Sequence, residues 1–119
     1  MTLYIGFTGH RDRVARESDL DKIREAYPDA TWVHGGAIGF DSQVERYAER
    51  YAIRTVVINP DYSKYSGNVA PLVRDEQIVD MVEEVYACYD GRKKGGTYYT
   101  ITYAGKVGKK VTVLGAVKP

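Results

Sequence analysis

The sequence predicts a single domain of three α/β/α layers, in which helices cover both faces of a mostly parallel five-stranded sheet. Short apolar runs alternate with longer amphipathic runs along the chain, which is typical of repeated strand–helix–strand units. Right-handed crossovers in such units place helices on both faces of the sheet. A length of 119 residues suits one domain and leaves little room for a second. The expected fold class is therefore α/β, with a Rossmann-like order of elements over residues 1–119.

Five short apolar runs are the predicted strands, and the third is rich in β-branched residues, which favour strands. They span residues 4–8, 31–34, 54–58, 84–89 and 110–114. In an open parallel sheet, ligands bind beyond the carboxyl ends of the strands. The glycine-rich turns that follow the first, second and fourth runs therefore become the candidate binding loops.

Four amphipathic runs lie between the strands and are the predicted helices. They span residues 18–27, 39–51, 71–81 and 97–107. Ser18 is the expected N-cap of the first helix, and Pro71 opens the third, as proline often does. The second helix is the clearest because its apolar residues form one stripe. That stripe consists of Phe40, Val44, Tyr47, Ala48 and Tyr51.

Composition limits the classes of function and the compartment. With 17 basic and 16 acidic residues the net charge is +1, which argues against binding DNA by bulk charge alone. The single cysteine, Cys88, lies in a predicted strand, so we expect a buried, inert thiol and no disulfide. Residues 1–5 run directly into a predicted strand, so we expect no signal peptide. No apolar run approaches the roughly 20 residues of a membrane span, so we expect a cytoplasmic protein that does not enter membranes.

The first candidate loop, residues 6–12, follows the first strand. Gly9 allows the backbone to approach a ligand closely, and the planar guanidinium of Arg11 suits a phosphate. His10 is either a donor or general acid in a pocket, or a turn histidine. A tight turn with an exposed arginine remains the alternative for the whole loop.

The second loop, residues 35–41, joins the second strand to the clearest helix. Its turn of Gly35, Gly36, Ala37 and Gly39 predicts an anion cradle, because free backbone N–H groups point outward at the start of a helix. The pattern is neither the G-x-G-x-x-G motif nor the G-x-x-x-x-G-K-[ST] phosphate loop. Asp41 either caps the first helical turn or accepts hydrogen bonds from a ribose or base.

The third loop precedes the last helix and predicts a second anion site. Gly95, Gly96 and Thr97 open that helix, and Thr97 either caps it or bonds a phosphate through its hydroxyl. Residues 92–94 add positive charge, although a solvated basic turn is the alternative. Arg74, followed by an aspartate near the start of the third helix, either adds a cation to the pocket or forms a surface ion pair of little energetic value.

These motifs, in this order, resemble those of the SLOG superfamily. That superfamily joins the DprA/Smf DNA-processing proteins with the LONELY GUY phosphoribohydrolases, and the chain looks most like its small stand-alone YspA/YpsA-related branch. The resemblance runs over residues 4–114. It implies a Rossmann-like fold with a pocket for nucleotides or nucleotide-derived ligands. The residues it assigns to that pocket are Arg11, Gly35, Gly36, Gly39, Asp41, Arg74, Gly96 and Thr97.

One departure from the family pattern affects the expected activity. The phosphoribohydrolases carry a glutamate three residues after the threonine of their glycine-rich motif, and that glutamate acts on the glycosidic bond. Here Thr100 stands at that position, and a hydroxyl cannot stabilise a developing oxocarbenium charge as a carboxylate does. Asp41 and Glu76 are the candidate replacements, and the catalytic residues are otherwise unknown.

Three functions remain open from the sequence. The first is a sensor or sequestering module for a nucleotide-type small molecule, and the second is a nucleotide N-glycosidase that releases a base. The third, single-stranded nucleic-acid binding through tyrosines beside Lys93, Lys94 and Lys106, is disfavoured by the near-neutral charge. His10 and His34 are the only histidines, and no ligand spacing suggests a metal. We expect no metal and no cofactor; a homo-oligomer stays open, through an exposed tyrosine-bearing helix face.

Overall fold

The computed structural model describes residues 2–119, which form five strands and four helices. The strands are β1 (Tyr4–Gly9), β2 (Thr31–His34), β3 (Thr55–Val57), β4 (Glu84–Cys88) and β5 (Lys110–Leu114). The helices are α1 (Glu17–Ala26), α2 (Phe40–Arg50), α3 (Ala70–Met81) and α4 (Gly95–Lys106). Strands and helices alternate strictly from β1 to β5, as the sequence predicts.

The sheet is entirely parallel, with the strand order β3-β2-β1-β4-β5. The chain builds outward from β1 to β3, then crosses back so that β4 lies on the other side of β1. The order therefore reverses between β1 and β4, and a crevice opens at the carboxyl ends of these two strands. This arrangement confirms the predicted Rossmann-like α/β fold.

Two apolar clusters, one on each face of the sheet, account for the three layers. On one face, side chains of α1 and α2 pack on aromatic residues of the strands. There, the Phe7 and Trp32 ring centroids lie 4.5 Å apart, and Tyr47 stacks on Trp32 at 5.5 Å. On the other face, α3 and α4 cover β2 and β4 through Ile78, Val79 and other aliphatic residues. Four residues of the predicted stripe, Phe40, Val44, Tyr47 and Ala48, form the buried face of α2, whereas Tyr51 lies just beyond its end and is exposed.

Cys88 is fully buried at the end of β4, as predicted. Burial raises the pKa of its thiol to about 12, so the reactive thiolate is scarce near neutral pH. Among residues 2–119, none of the helices has the length and apolar character needed to cross a membrane.

Two helix starts lack the side-chain caps that the sequence predicts. The first helix begins at Glu17 after Arg16, so Ser18 lies inside it and is not the N-cap; no side chain caps this end. The last helix begins at Gly95, which adopts φ +88°, a backbone conformation that glycine reaches without strain. Thr97 is therefore a buried residue of the first helical turn and does not cap it.

We predict that Gly39→Ala destabilises the fold at the start of α2. Gly39 has φ +83°, and an added Cβ would lie 2.3 Å from the backbone carbonyl oxygen of Arg11. The strain and overlap should lower the free energy of unfolding by about 2–4 kcal/mol, measured by urea denaturation. Gly105→Ala is the matched control, because a Cβ in that part of α4 meets nothing within 4 Å. It should stabilise by about 0.5–1 kcal/mol, and equal effects of the two substitutions would contradict this view of the turn.

Candidate functional site

A cleft of about 610 Å³ lies at the carboxyl ends of β1 and β4, where the strand order reverses. Its size is typical of small-molecule sites. All three predicted loops and the start of α3 contribute to it. The main cleft, as we call it, is lined by Thr8, Gly9, His10, Arg11, Asp12, Ala37, Asp41, Pro71, Arg74, Asp75, Arg92, Lys94, Gly95, Gly96 and Thr97.

Most of the site residues predicted from the sequence are brought together in this cleft. Those that line it are Gly9, His10, Arg11, Ala37, Asp41, Arg74, Gly95, Gly96 and Thr97. The remaining four, Gly35, Gly36, Gly39 and Glu76, are not among its lining residues. The two glycine-rich helix starts therefore meet at one cleft. The glycines after β2 are not themselves lining residues of that cleft.

The positions of those four residues follow from their contacts. Gly35 is buried beneath Arg74, whose Nη1 would lie 2.5 Å from a Cβ at that position. Gly36 lines a neighbouring cleft, and Gly39 packs against the backbone of the first loop. Glu76 lies on α3 and accepts a hydrogen bond from the Tyr99 hydroxyl of α4. Glu76 is therefore a poor candidate for chemistry in the main cleft.

Three backbone amides of the turn after β2 are hydrogen-bonded within the protein. The Oδ2 atom of Asp41 accepts hydrogen bonds from the backbone N–H groups of Gly35 and Ala37, both at 3.2 Å. The N–H of Gly36 donates to Nδ1 of His34 at 3.1 Å. These donors are satisfied within the protein, so the turn is capped by the chain's own carboxylate. Gly35, Gly36 and Ala37 therefore offer no free N–H group to an anion.

The start of α4 lies at the main cleft and keeps its first backbone amides unpaired within residues 2–119. The backbone N–H groups of Gly95, Gly96 and Thr97 make no hydrogen bond to any other residue in the range 2–119. These three residues line the main cleft. Unpaired amides and the positive end of the helix dipole favour an anion at such a position. The third loop is therefore a candidate anion site.

The cations around the cleft differ in how far they are already neutralised. Within residues 2–119, Arg11 and Lys94 are exposed and form no ion pair. Arg92, in contrast, bonds the carboxylates of Asp90 and Asp12. The positive charge that a ligand would meet therefore comes mainly from Arg11 and Lys94.

Arg74 and Asp75 form a nearly buried ion pair at the cleft and not a surface pair. Nε of Arg74 lies 2.8 Å from Oδ1 of Asp75, and the two side chains are 11% and 10% exposed. Nη1 of Arg74 also donates to the carbonyl oxygen of Gly35, which ties α3 to the turn after β2. Burial raises the pKa of Asp75 to about 6 in spite of the arginine. The carboxyl can therefore gain and lose a proton near neutral pH.

Asp41 carries an unsatisfied acceptor. Its side chain is buried, and Oδ1 has no hydrogen-bond partner within residues 2–119. Burial raises the pKa of this carboxyl, although His34 and the two backbone N–H groups oppose that shift. A buried polar atom without a partner is costly. A hydroxyl group of a ligand is the kind of donor that would satisfy it.

His10 holds the first and third loops together. It is buried, and its Nε2 lies 3.1 Å from Oδ1 of Asp90. Burial lowers the pKa of His10, so the ring is mainly neutral at pH 7. Sequence reasoning did not identify Asp90 as the partner of His10, although one local signal existed. Asp90 accepts the backbone N–H of Arg92 two residues later, a turn pattern that aspartate favours.

The sheet order and the cleft at its switch point define the chain as a Rossmann-like α/β domain with a candidate small-molecule site. A family model described as the YspA, cpYpsA-related SLOG family matches residues 5–65, about half of the 119 residues. The chain therefore belongs to that family, which confirms the resemblance drawn from its motifs. A comparison with curated proteins gives no match.

We predict that anion binding at the start of α4 strengthens as the pH falls. An added Cβ on Gly96 would lie 3.3 Å from Oδ2 of Asp75, so the ionised carboxylate opposes an anion at these amides. Because the pKa of Asp75 is about 6, the carboxylate is mostly charged at pH 8 and mostly neutral at pH 5. Sulfate keeps its charge over this range, so its affinity should rise by roughly three- to tenfold.

The measurement is the thermal stabilisation by sulfate, relative to chloride at equal ionic strength, between pH 8 and 5. Asp75→Asn should flatten this dependence, because the variant carries no titrating group at that position. A pH dependence that is the same in the variant and the native chain would contradict the role of Asp75.

Proposed function

We propose that this protein binds a nucleotide or nucleotide-derived phosphorylated small molecule in the main cleft, as a sensor or sequestering module. Membership of the SLOG family suggests binding or processing of nucleotide-related ligands in general. The observation that carries the proposal is the set of unpaired amides of Gly95, Gly96 and Thr97 at the cleft. A phosphate accepts several such hydrogen bonds at once.

The other polar groups of the cleft fit the rest of such a ligand. Arg11 is exposed at the rim and has no partner within residues 2–119, so its guanidinium suits a second contact to the phosphate. The unsatisfied Oδ1 of Asp41 suits a ribose hydroxyl. One cleft therefore holds N–H groups that can bind an anion and a carboxylate oxygen that can accept a hydrogen bond from a hydroxyl. This combination matches a sugar phosphate better than a simple anion.

Binding without hydrolysis is favoured by the position of Thr100. This residue is 1% exposed, and its hydroxyl donates to the carbonyl oxygen of Gly96 at 2.7 Å. It is thus part of the interior of α4 and does not supply a group to the cleft. Glu76, one candidate replacement for the missing glutamate, is held by Tyr99 outside the cleft.

We predict that Arg11→Ala weakens the binding of nucleoside monophosphates by roughly 10- to 100-fold, because a charge-assisted hydrogen bond is lost. Calorimetry with a panel of mononucleotides and ADP-ribose-type nucleotides measures this effect. Lys110→Ala is the matched control, since Lys110 is exposed at the start of β5, the opposite edge of the sheet. The absence of sub-millimolar binding by any member of the panel would contradict the proposal.

Asp75 supports a second candidate function, a nucleotide N-glycosidase. In this reaction water adds to the anomeric carbon, the bond to the base nitrogen breaks, and the base leaves with a proton. A carboxyl with a pKa of about 6 in the main cleft is suited to moving that proton near neutral pH. Asp75, and not Glu76, is therefore the residue to test for catalysis.

We predict that the Asp75→Asn substitution lowers any release of free base from nucleoside monophosphates at least about 100-fold. Chromatography measures the released base. Glu76→Gln is the matched control, because Glu76 is the next residue of α3 and lies outside the main cleft. Equal loss in both variants would assign the effect to the packing of α3 against α4. Absence of base release from the native chain would leave binding alone as the function.

A further inference from the structure

A second cleft, of about 520 Å³, lies beside the main one, between α2 and the edge strand β3. We call it the side cleft. Ala37 and Asp41 line both clefts, so a single turn separates them. The walls that belong to the side cleft alone include Gly36, Glu45, Arg46, Thr55, Val57 and Asn59.

We propose that the side cleft holds the nucleobase of a ligand whose phosphate binds at the start of α4. The ligand then lies across Ala37 and Asp41, with its sugar over the shared wall. This inference rests on the proposed function, because it assigns a place to the base of the same ligand.

The chemistry of the side cleft suits a flat heteroaromatic ring. Val57 is 41% exposed although it belongs to a strand, and it offers an apolar surface to the face of a ring. Thr55 lies on the same face of β3, two residues away. The side-chain amide of Asn59 makes no hydrogen bond within residues 2–119. Such an amide can donate to and accept from the edge of one base.

The main cleft is lined without large apolar or aromatic carbon side chains. Its lining residues within the described part of the chain include no Phe, Tyr, Trp, Val, Leu, Ile or Met. They include the exposed, unpaired cations Arg11 and Lys94, which suit the phosphate of a ligand. A ligand with one charged end and one ring would therefore divide itself between the two clefts.

The shared wall carries the group that a sugar between them would need. Oδ1 of Asp41 is buried without a partner, while Oδ2 is held by the turn after β2. Gly36, which also lines the side cleft, leaves it unfilled because it has no side chain. A Cβ at that position would lie 3.0 Å from both Oδ1 of Asn59 and Cγ1 of Val57, so any side chain there would press into the side cleft.

The test compares ligands that differ only in the base. Calorimetry measures the affinity of the chain for the four common ribonucleoside 5′-monophosphates and for ribose 5-phosphate, which has the same phosphate and sugar. At least one nucleotide should bind about tenfold more tightly than ribose 5-phosphate, as expected for a stacked and hydrogen-bonded base. Asn59→Ala and Val57→Ser should each remove most of that difference while the affinity for ribose 5-phosphate stays the same.

Two further variants separate the inference from the proposed function. Arg11→Ala should weaken nucleotides and ribose 5-phosphate by the same factor, and Asn68→Ala, an exposed loop control outside both clefts, should change neither. If Arg11→Ala behaves so but no nucleotide exceeds ribose 5-phosphate, or the Asn59 and Val57 variants retain the preference, the inference is overturned and the proposed function stands. If the native chain binds none of the phosphates, both are overturned. Both Asn59 and Val57 are exposed, so these variants should fold, which circular dichroism checks.

Discussion

The hydrogen bonds from the backbone of Gly35 and Ala37 to the Asp41 carboxylate are the interaction on which both clefts depend. They hold the turn after β2 in one shape and orient the start of α2. His34 supports the same turn by accepting the N–H of Gly36, and its Nε2 lies 2.7 Å from Oε1 of Glu45. The turn is thus fixed from two sides before any ligand arrives.

This arrangement divides the charges of the site into two parts. Two carboxyls, Asp41 and Asp75, lie buried, and burial raises the pKa of both. Arg74 lies close enough to both to oppose these shifts, which limits the cost of burying them. The unpaired cations, Arg11 and Lys94, are exposed at the rim near the start of α4. An anionic group is therefore favoured at α4, whereas hydroxyl groups are favoured at Asp41.

The sequence predicts the fold and most members of the site, because both depend on local patterns. Alternating apolar runs identify the βαβ units. Parallel strands bring the loops at their carboxyl ends to one edge of the sheet, independently of the side chains in those loops. Arg11, Arg74 and Gly96 could be assigned to the cleft on that basis. The capping role of Asp41 was also readable as one of two alternatives, since the acceptor and its donors lie within six residues of each other.

Other features arise from contacts that a local pattern does not contain. His10 meets Asp90 across 80 residues of sequence, and only the pairing of β1 with β4 brings them together. Asp75 gains its raised pKa from the packing of α3 against α4, whereas Glu76, one residue later, faces Tyr99. The side cleft exists because β3 is an edge strand that α2 covers incompletely, so that Val57 stays exposed. Each of these depends on how elements dock and not on their own sequences.

The central claim is that the phosphate of the ligand binds the free amides of α4 and not the capped turn after β2. Amide chemical shifts in a ¹⁵N NMR titration with a nucleoside monophosphate test it most directly. The account predicts that the largest shifts, saturating together, occur at the amides of Gly95, Gly96 and Thr97, with small shifts at Gly35 and Ala37. Largest shifts at Gly35 and Ala37, with those of α4 unchanged, would contradict it.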